Sequence, residues 1–326
     1  MTSERLRIGT RGSELALWQA TWIKNELATR RPDLEVAVEI IRTTGDKIID
    51  SPLSKIGDKG LFTREIEQAL LRDDIDLAVH SLKDLPTQLP EGLLIGAVSE
   101  REDVRDVFIP HPENELGRLL EQSDGARIAT GSLRRRCQLL NLRKDFSLVD
   151  IRGNLNTRMR KLEESDWAGM MLAHAGVVRL GLLGRAGETL PTELFLPAVG
   201  QGALAVEIRE EDSRVRAIVA ELNHEPTRRA TAAERALLRR LEGGCQIPIG
   251  AYARVEETDG IGDRLTLDAL VGSLDGTTVI RDRATGRAEE AEQLGLALAE
   301  SLLRAGADRI LRDIRSATGS HHEPQG

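Results

Sequence analysis

Ile75-Asp76-Leu77-Ala78-Val79-His80-Ser81-Leu82-Lys83-Asp84-Leu85-Pro86 passes from a near-continuous apolar run into a polar turn. Residues 75–80 predict a strand buried on both faces. Such a strand needs helices above and below it, so the flanking chain should alternate strand and helix around a parallel sheet. Upstream it does. Residues 6–10 read as a strand and Arg11-Gly12-Ser13 as a turn. A helix over 14–27 follows, with Leu15, Trp18 and Trp22 on one face and Ser13 as N-cap. Residues 36–43 are the next strand. A loop Ser54-Lys55-Ile56-Gly57-Asp58-Lys59-Gly60 then leads to a helix bearing Phe62, Ile66, Ala69 and Leu70.

Downstream the scheme repeats. A strand at 126–130 precedes Gly131-Ser132 and a helix opening Leu133-Arg134-Arg135-Arg136. A strand at 146–151 precedes Arg152-Gly153-Asn154 and a helix from about Asn156. A strand at 169–173 is followed by Arg179 on a short helix. This predicts a second α/β domain over 101–199, the first taking 1–100 and 200–220. From about residue 225 the pattern changes to one helix (227–241), three strands with a turn at Asp275-Gly276, and a long helical stretch over 288–314. We read 221–315 as a small α+β domain and 316–326 as a disordered tail.

Bulk properties narrow the function. The chain has 326 residues, 30% of them charged, and a net charge of −8, which argues against a dedicated nucleic-acid binder. Aromatics are only 2%, too few for a base-stacking surface, so the core must be aliphatic. The 2 cysteines have neither disulfide-framework nor zinc spacing, and no metal site is expected. Residues 1–7 lack an apolar segment and no apolar run nears the length of a membrane span. A soluble, reduced, cytoplasmic protein is expected.

Polar residues collect at the C-terminal ends of the predicted strands, where open α/β sheets bind ligands. Three arginines crowd the first turn of the helix after Ser132, whose N-terminus already carries partial positive charge; an anion is needed to answer them. Arg11 beside Ser13, Arg152 after a strand, Arg158 near Asn156 and Arg179 extend the set, and together they predict a polyanion pocket. Asp84 is a carboxylate in this cationic neighbourhood, either a turn former before Leu85-Pro86 or a group that handles a proton or a transient cation. Cys245 lies in Leu241-Glu242-Gly243-Gly244-Cys245-Gln246-Ile247-Pro248-Ile249-Gly250-Ala251-Tyr252, on a tight connector that lets something large approach the thiol. It is either a small apolar core residue or a reactive one. Three classes compete: a cysteine hydrolase, a two-domain anion-binding protein, and a transferase acting on a polycarboxylate. Only the last uses Cys245, Asp84 and the arginines together.

The chain resembles the porphobilinogen deaminase family from about residue 6 to 315. The resemblance is carried by Ile8-Gly9-Thr10-Arg11-Gly12-Ser13, Lys59-Gly60-Leu61-Phe62, Val79-His80-Ser81-Leu82-Lys83-Asp84-Leu85-Pro86, Gly131-Ser132-Leu133-Arg134-Arg135-Arg136, Arg152-Gly153-Asn154 with Thr157-Arg158, Pro197-Ala198-Val199-Gly200-Gln201-Gly202-Ala203, and the Cys245 stretch. It implies two periplasmic-binding-protein-like α/β domains, the chain returning to the first after Pro197, plus a C-terminal α+β domain. It implies a transferase that deaminates porphobilinogen and joins four units head to tail into the linear tetrapyrrole hydroxymethylbilane. The cofactor would be dipyrromethane, held by a thioether to Cys245. Lys83, Ser132, Arg134 and Arg135 would contact the cofactor; Arg11, Ser13, Arg152, Arg158 and Arg179 would contact substrate carboxylates. Asp84 would hold pyrrole nitrogens and stabilise an azafulvenium-like cation. Lys55, Lys59 and Phe62 would lie on a mobile loop, and the enzyme would be a monomer. Two departures stand out: Gly131 where serine is usual, and Asp58 where glycine is frequent.

Overall fold

The computed structural model describes residues 4–47, 62–241, 247–256 and 263–319. The chain opens β1 (Glu4–Thr10), α1 (Glu14–Arg30), β2 (Leu34–Ile40), α2 (Thr44–Lys47), α3 (Arg64–Leu71), β3 (Leu77–Ser81) and β4 (Leu93–Val98). It crosses to β5 (Asp106–Pro110), β6 (Arg127–Ala129), α4 (Leu133–Leu142), β7 (Ser147–Val149), α5 (Leu155–Glu163), β8 (Gly169–Ala173), α6 (His174–Arg179) and β9 (Glu188–Thr189). It then returns through β10 (Leu204–Arg209) and α7 (Ser213–Ala220).

The first sheet has the order β2-β1-β3-β10-β4 and the second β7-β6-β8-β5-β9. These are the same arrangement. In each, three parallel strands are joined by one antiparallel strand that the chain reaches directly from the other sheet: β10 runs against β3 and β4, and β5 against β8 and β9. The expected all-parallel sheet is therefore corrected to a mixed one. An apolar run announces a buried strand but carries no direction. β4, β5 and β9 were not among the predicted strands.

The two crossovers run side by side. Ser99 N donates to Leu204 O at 3.0 Å, Glu102 N to Gly202 O at 3.3 Å, and Leu204 N to Ser99 Oγ at 3.1 Å. Apolar cores lie on the sheets: Leu6, Ile8, Ile23, Leu27, Val79 and Ile208 on the first, and Ile109, Met170, Leu172 and Val177 on the second. They are aliphatic, as the composition requires, though Phe108 and Phe195 fill a further cluster of the second sheet.

The small C-terminal domain comprises α8 (Glu225–Arg240), an antiparallel sheet of β11 (Ile249–Glu256), β12 (Arg264–Gly272) and β13 (Val279–Arg287), and helices α9 (Ala291–Leu302) and α10 (Asp308–Gly319). Leu237, Leu265, Leu267, Leu298 and Leu302 form its centre. The long helix expected over 288–314 is broken at Gly306, whose φ of +107° only glycine adopts at low cost. Residues 316–319, expected in a disordered tail, belong to α10; 320–326 lie outside the described residues. Among the described residues no helix is long and apolar enough to cross a membrane.

Candidate active site

β3 delivers its chain into a single 3₁₀ turn, Leu82–Asp84. Leu82 and Leu85 are 1% and 5% exposed and pack with Val98, Ala203 and Ala205. With both leucines drawn inward, the turn presents Asp84 to solvent and leaves Lys83 half-buried. The turn is anchored at its start by Leu82 N donating to Ala203 O at 3.0 Å. The ammonium of the half-buried Lys83 reaches Gln201 Oε1 at 3.5 Å. Burial pulls its pKa down to about 8, with Arg135 and Arg134 adding and Asp84 and Asp106 opposing.

The arginines at the start of α4 meet an anion supplied by the protein itself. Ser132 caps the helix, accepting from Arg135 N. The carboxylate of Asp106, on β5 and fully buried, accepts from Arg134 Nη1 at 2.6 Å and from Arg135 Nη2 and Nε at 2.7 and 3.1 Å. Burial alone would raise the Asp106 pKa; the two guanidinium groups overcome it and hold the carboxyl well below its usual range. Arg135 also donates to Met171 O at 2.9 Å, so all three of its guanidinium nitrogens face protein acceptors. Arg134 donates to Leu196 O, and its Nε is buried with no hydrogen-bond partner. Gln201 completes the group: its amide donates to Asp106 Oδ1 at 2.9 Å and Val104 O at 2.8 Å, which turns its carbonyl oxygen toward Lys83.

Other expected residues adjoin this core. Arg158 donates to Gly153 O at 2.8 Å, and burial brings its pKa down to about 10, Arg135 adding and Asp84 opposing. The Nε of Arg152 is buried without a hydrogen-bond partner, 3.7 Å from Asp150. Among the described residues Lys83, Arg134, Arg135, Arg152 and Arg158 thus share one electrostatic neighbourhood with Asp84, Asp106 and Asp150, five cations against three carboxylates. Arg179 crosses from α6 to donate to Gly202 O at 2.7 Å and stands over Trp18 of α1 at 5.6 Å, and its pKa falls with burial to about 10. Asn156 on α5 bonds Glu14 on α1, so the helix starts of both sheets face each other. At that edge Ser13 caps α1, Arg11 stacks on Phe62 at 4.2 Å, and Gln19 donates to Ser81 Oγ at 2.8 Å. A Cβ on Gly131 would stand 2.6 Å from Ile151 O, so serine does not fit this backbone unshifted. Cys245, Lys55, Lys59 and Asp58 lie outside the described residues.

A second buried carboxylate ties the C-terminal domain to both crossovers. Glu234 of α8 accepts from Arg101 Nη1 and Nη2 at 2.6 and 3.1 Å, from Gly200 N at 2.7 Å and from Ala253 N at 2.8 Å. Four donors leave neither oxygen unsatisfied.

Comparison with known proteins decides among the three classes. Residues 6–217 match the family model described as porphobilinogen deaminase, dipyrromethane cofactor binding domain, and residues 229–304 match the porphobilinogen deaminase C-terminal domain. The chain belongs to the porphobilinogen deaminase family. Porphobilinogen deaminases of Chlorobium luteolum and Chlorobaculum parvum are 53% and 54% identical to it, covering 96% and 94% of this chain and 99% and 97% of their own. Among solved structures, the methionine-binding protein MetQ is similar at 13% identity and a TM-score of 0.41, over 67% of this chain and 89% of its own. As a porphobilinogen deaminase family member the chain is a transferase of tetrapyrrole biosynthesis that polymerises porphobilinogen and uses a dipyrromethane cofactor. The observed donor set fits such a group. Acetate and propionate side chains need cations, and the described residues here hold an excess of them, with two guanidinium nitrogens, Arg134 Nε and Arg152 Nε, buried without a hydrogen-bond partner.

Proposed function

We propose that the chain builds hydroxymethylbilane from four porphobilinogen units with Asp84 at the reacting centre, and that its dipyrromethane is joined by a thioether to Cys245. The observation that supports this best is the turn at Leu82–Asp84, which sets one exposed carboxylate in the field of Lys83 and Arg158. When bound, the cofactor supplies the pyrrole end to which the first unit is joined.

The chain's own residues bind, orient and balance charge. Lys83, Ser132, Arg134, Arg135, Arg152 and Arg158 engage carboxylates at the α4 and α5 side of the site; Arg11, Ser13 and Arg179 do so at the α1 and α6 side. Arg134 and Arg135 are fixed by the protein first, Arg134 by Asp106 and Leu196 and Arg135 by Asp106 and Met171, and a ligand shares their remaining hydrogens. Loss of ammonia from porphobilinogen leaves positive charge on the substrate's methylene and ring nitrogen. Asp84, fixed on a short turn, accepts from that ring N–H and stabilises the charge as it develops, which lowers the barrier more than the ground state. The same group relays a proton to the leaving amine, taking it up from solvent before ammonia departs and becoming a carboxylate again as the cation forms. Phe62, which stacks on Arg11, and the Lys55 and Lys59 segment would cover the site.

We also propose the division into 1–100 with 200–220, 101–199 and 221–315, and a cytoplasmic monomer. The pairing of β10 with β3 and β4 supports the first, and the composition supports the cytoplasmic placement. Intact mass tests the cofactor assignment: the purified chain should carry an excess of two pyrrole units, absent from Cys245→Ala along with activity. An unmodified, active Cys245→Ala protein overturns it.

A further inference from the structure

We infer that Arg235 is a positioning residue for Asp84, acting through the backbone that follows the turn. Arg235 projects from α8, and its guanidinium donates to Pro86 O at 2.7 Å and to Leu85 O at 3.4 Å. These are the two carbonyls immediately after Asp84. Burial lowers the Arg235 pKa to about 10, with Arg239 adding to the fall and Glu207 opposing it, and the group stays cationic at neutral pH.

The turn is therefore held at both ends by different parts of the molecule. Ala203, on the second crossover, holds its entry through Leu82 N, and the C-terminal domain holds its exit through Arg235. Between these points the internal bond is a single long one, Leu85 N to Leu82 O at 3.2 Å. A three-residue turn closed by one such bond does not fix its own orientation. The charged donor at its exit supplies what the turn lacks. The helix ends at Arg240, five residues before Cys245 in the sequence. One side chain thus couples α8 to the backbone that follows Asp84.

Arg281 gives the comparison that separates positioning from domain attachment. It too sends a guanidinium from the C-terminal domain onto two successive carbonyls, of Thr192 and Glu193, but on the second sheet's side and away from the turn. The inference rests on the assignment of Asp84, so the test includes Asp84→Asn. Arg235→Leu, Arg235→Lys, Arg281→Leu and the Arg235→Leu/Asp84→Asn double variant are assayed for porphobilinogen turnover as full-length protein, with loading checked by mass. In fully loaded Arg235→Leu, kcat should fall roughly 10- to 100-fold with KM within about threefold, the scale expected when a reacting group is slightly misplaced. Arg235→Lys, which reaches one carbonyl, should lose less, about 3- to 10-fold, and carries the test alone if the leucine variant does not load. Arg281→Leu should lower Tm and leave kcat unchanged. Arg235→Leu should add little to the loss already caused by Asp84→Asn. A loaded Arg235 variant within twofold of the parent, an equal kcat loss in Arg281→Leu, or full additivity with Asp84→Asn overturns the inference while the Asp84 assignment stands. An Asp84→Asn enzyme of near-parental rate overturns both.

Discussion

Arg134 Nη1 and Asp106 Oδ2 lie 2.6 Å apart, with side-chain exposures of 5% and 0%. Two of the three arginines at the start of α4 are thus answered from inside by one carboxylate. The site's cations are not simply waiting for ligand; some are paid for and aimed by a carboxylate one strand away.

Asp106→Asn keeps the shape and removes the charge. It strands two buried guanidinium groups, which should cost about 3–5 kcal/mol. Chemical unfolding should show that loss, and mass analysis should show poor cofactor loading in the protein that remains folded. Parental stability and loading would mean that Arg134 and Arg135 need no internal anion.

Lys83 has a pKa of about 8 in the folded protein, below its ordinary value. Its ammonium is lost as pH passes about 8, so KM for porphobilinogen should rise on the alkaline side. Lys83→Arg, protonated throughout, should flatten that rise. The sign for stability is opposite. Between about pH 8 and the ordinary lysine value the unfolded chain binds more protons, so the Lys83 contribution to stability increases with pH. A parent KM that does not change between about pH 7 and 9 would remove Lys83 from carboxylate binding.

Gly131→Ser places a Cβ 2.6 Å from Ile151 O. The 150–153 turn, which carries Arg152, must shift. We expect a loss of about 1–3 kcal/mol in unfolding and weaker substrate binding. A variant as stable and active as the parent would show that the turn yields freely.

Much of this was legible in the sequence, for identifiable reasons. The strand around Ile75–His80 is legible because a strand buried on both faces must be apolar throughout, and the start of α1 because Ser13 caps it; the structure adds Ser132 and Asn154 as caps of α4 and α5. The arginines stand out because cations at a helix start are unfavourable without a partner. The partner did not stand out. In Arg101-Glu102-Asp103-Val104-Arg105-Asp106 the aspartate reads as one more surface charge, and only the antiparallel path of β5 carries it beneath α4. Gln201 and Glu234 were equally hidden: an amide in a turn-rich connector and an acid among the arginines of a helix give no local sign of burial. The strand at 204–208 is legible, but its antiparallel direction, the strand β5 and the break at Gly306 are not, because strand direction and helix continuity are settled by tertiary packing.

The central claim is that the carboxylate of Asp84 stabilises charge in the reaction, and single-turnover kinetics of cofactor-loaded Asp84→Asn test it most directly. The substitution keeps size and most hydrogen-bonding shape. We predict a folded protein that binds porphobilinogen with near-parental affinity and whose chemical step is slowed about 10²- to 10⁴-fold. A loaded Asp84→Asn enzyme whose chemical step stays within a few-fold of the parent would contradict the account and leave Asp84 a turn-forming residue.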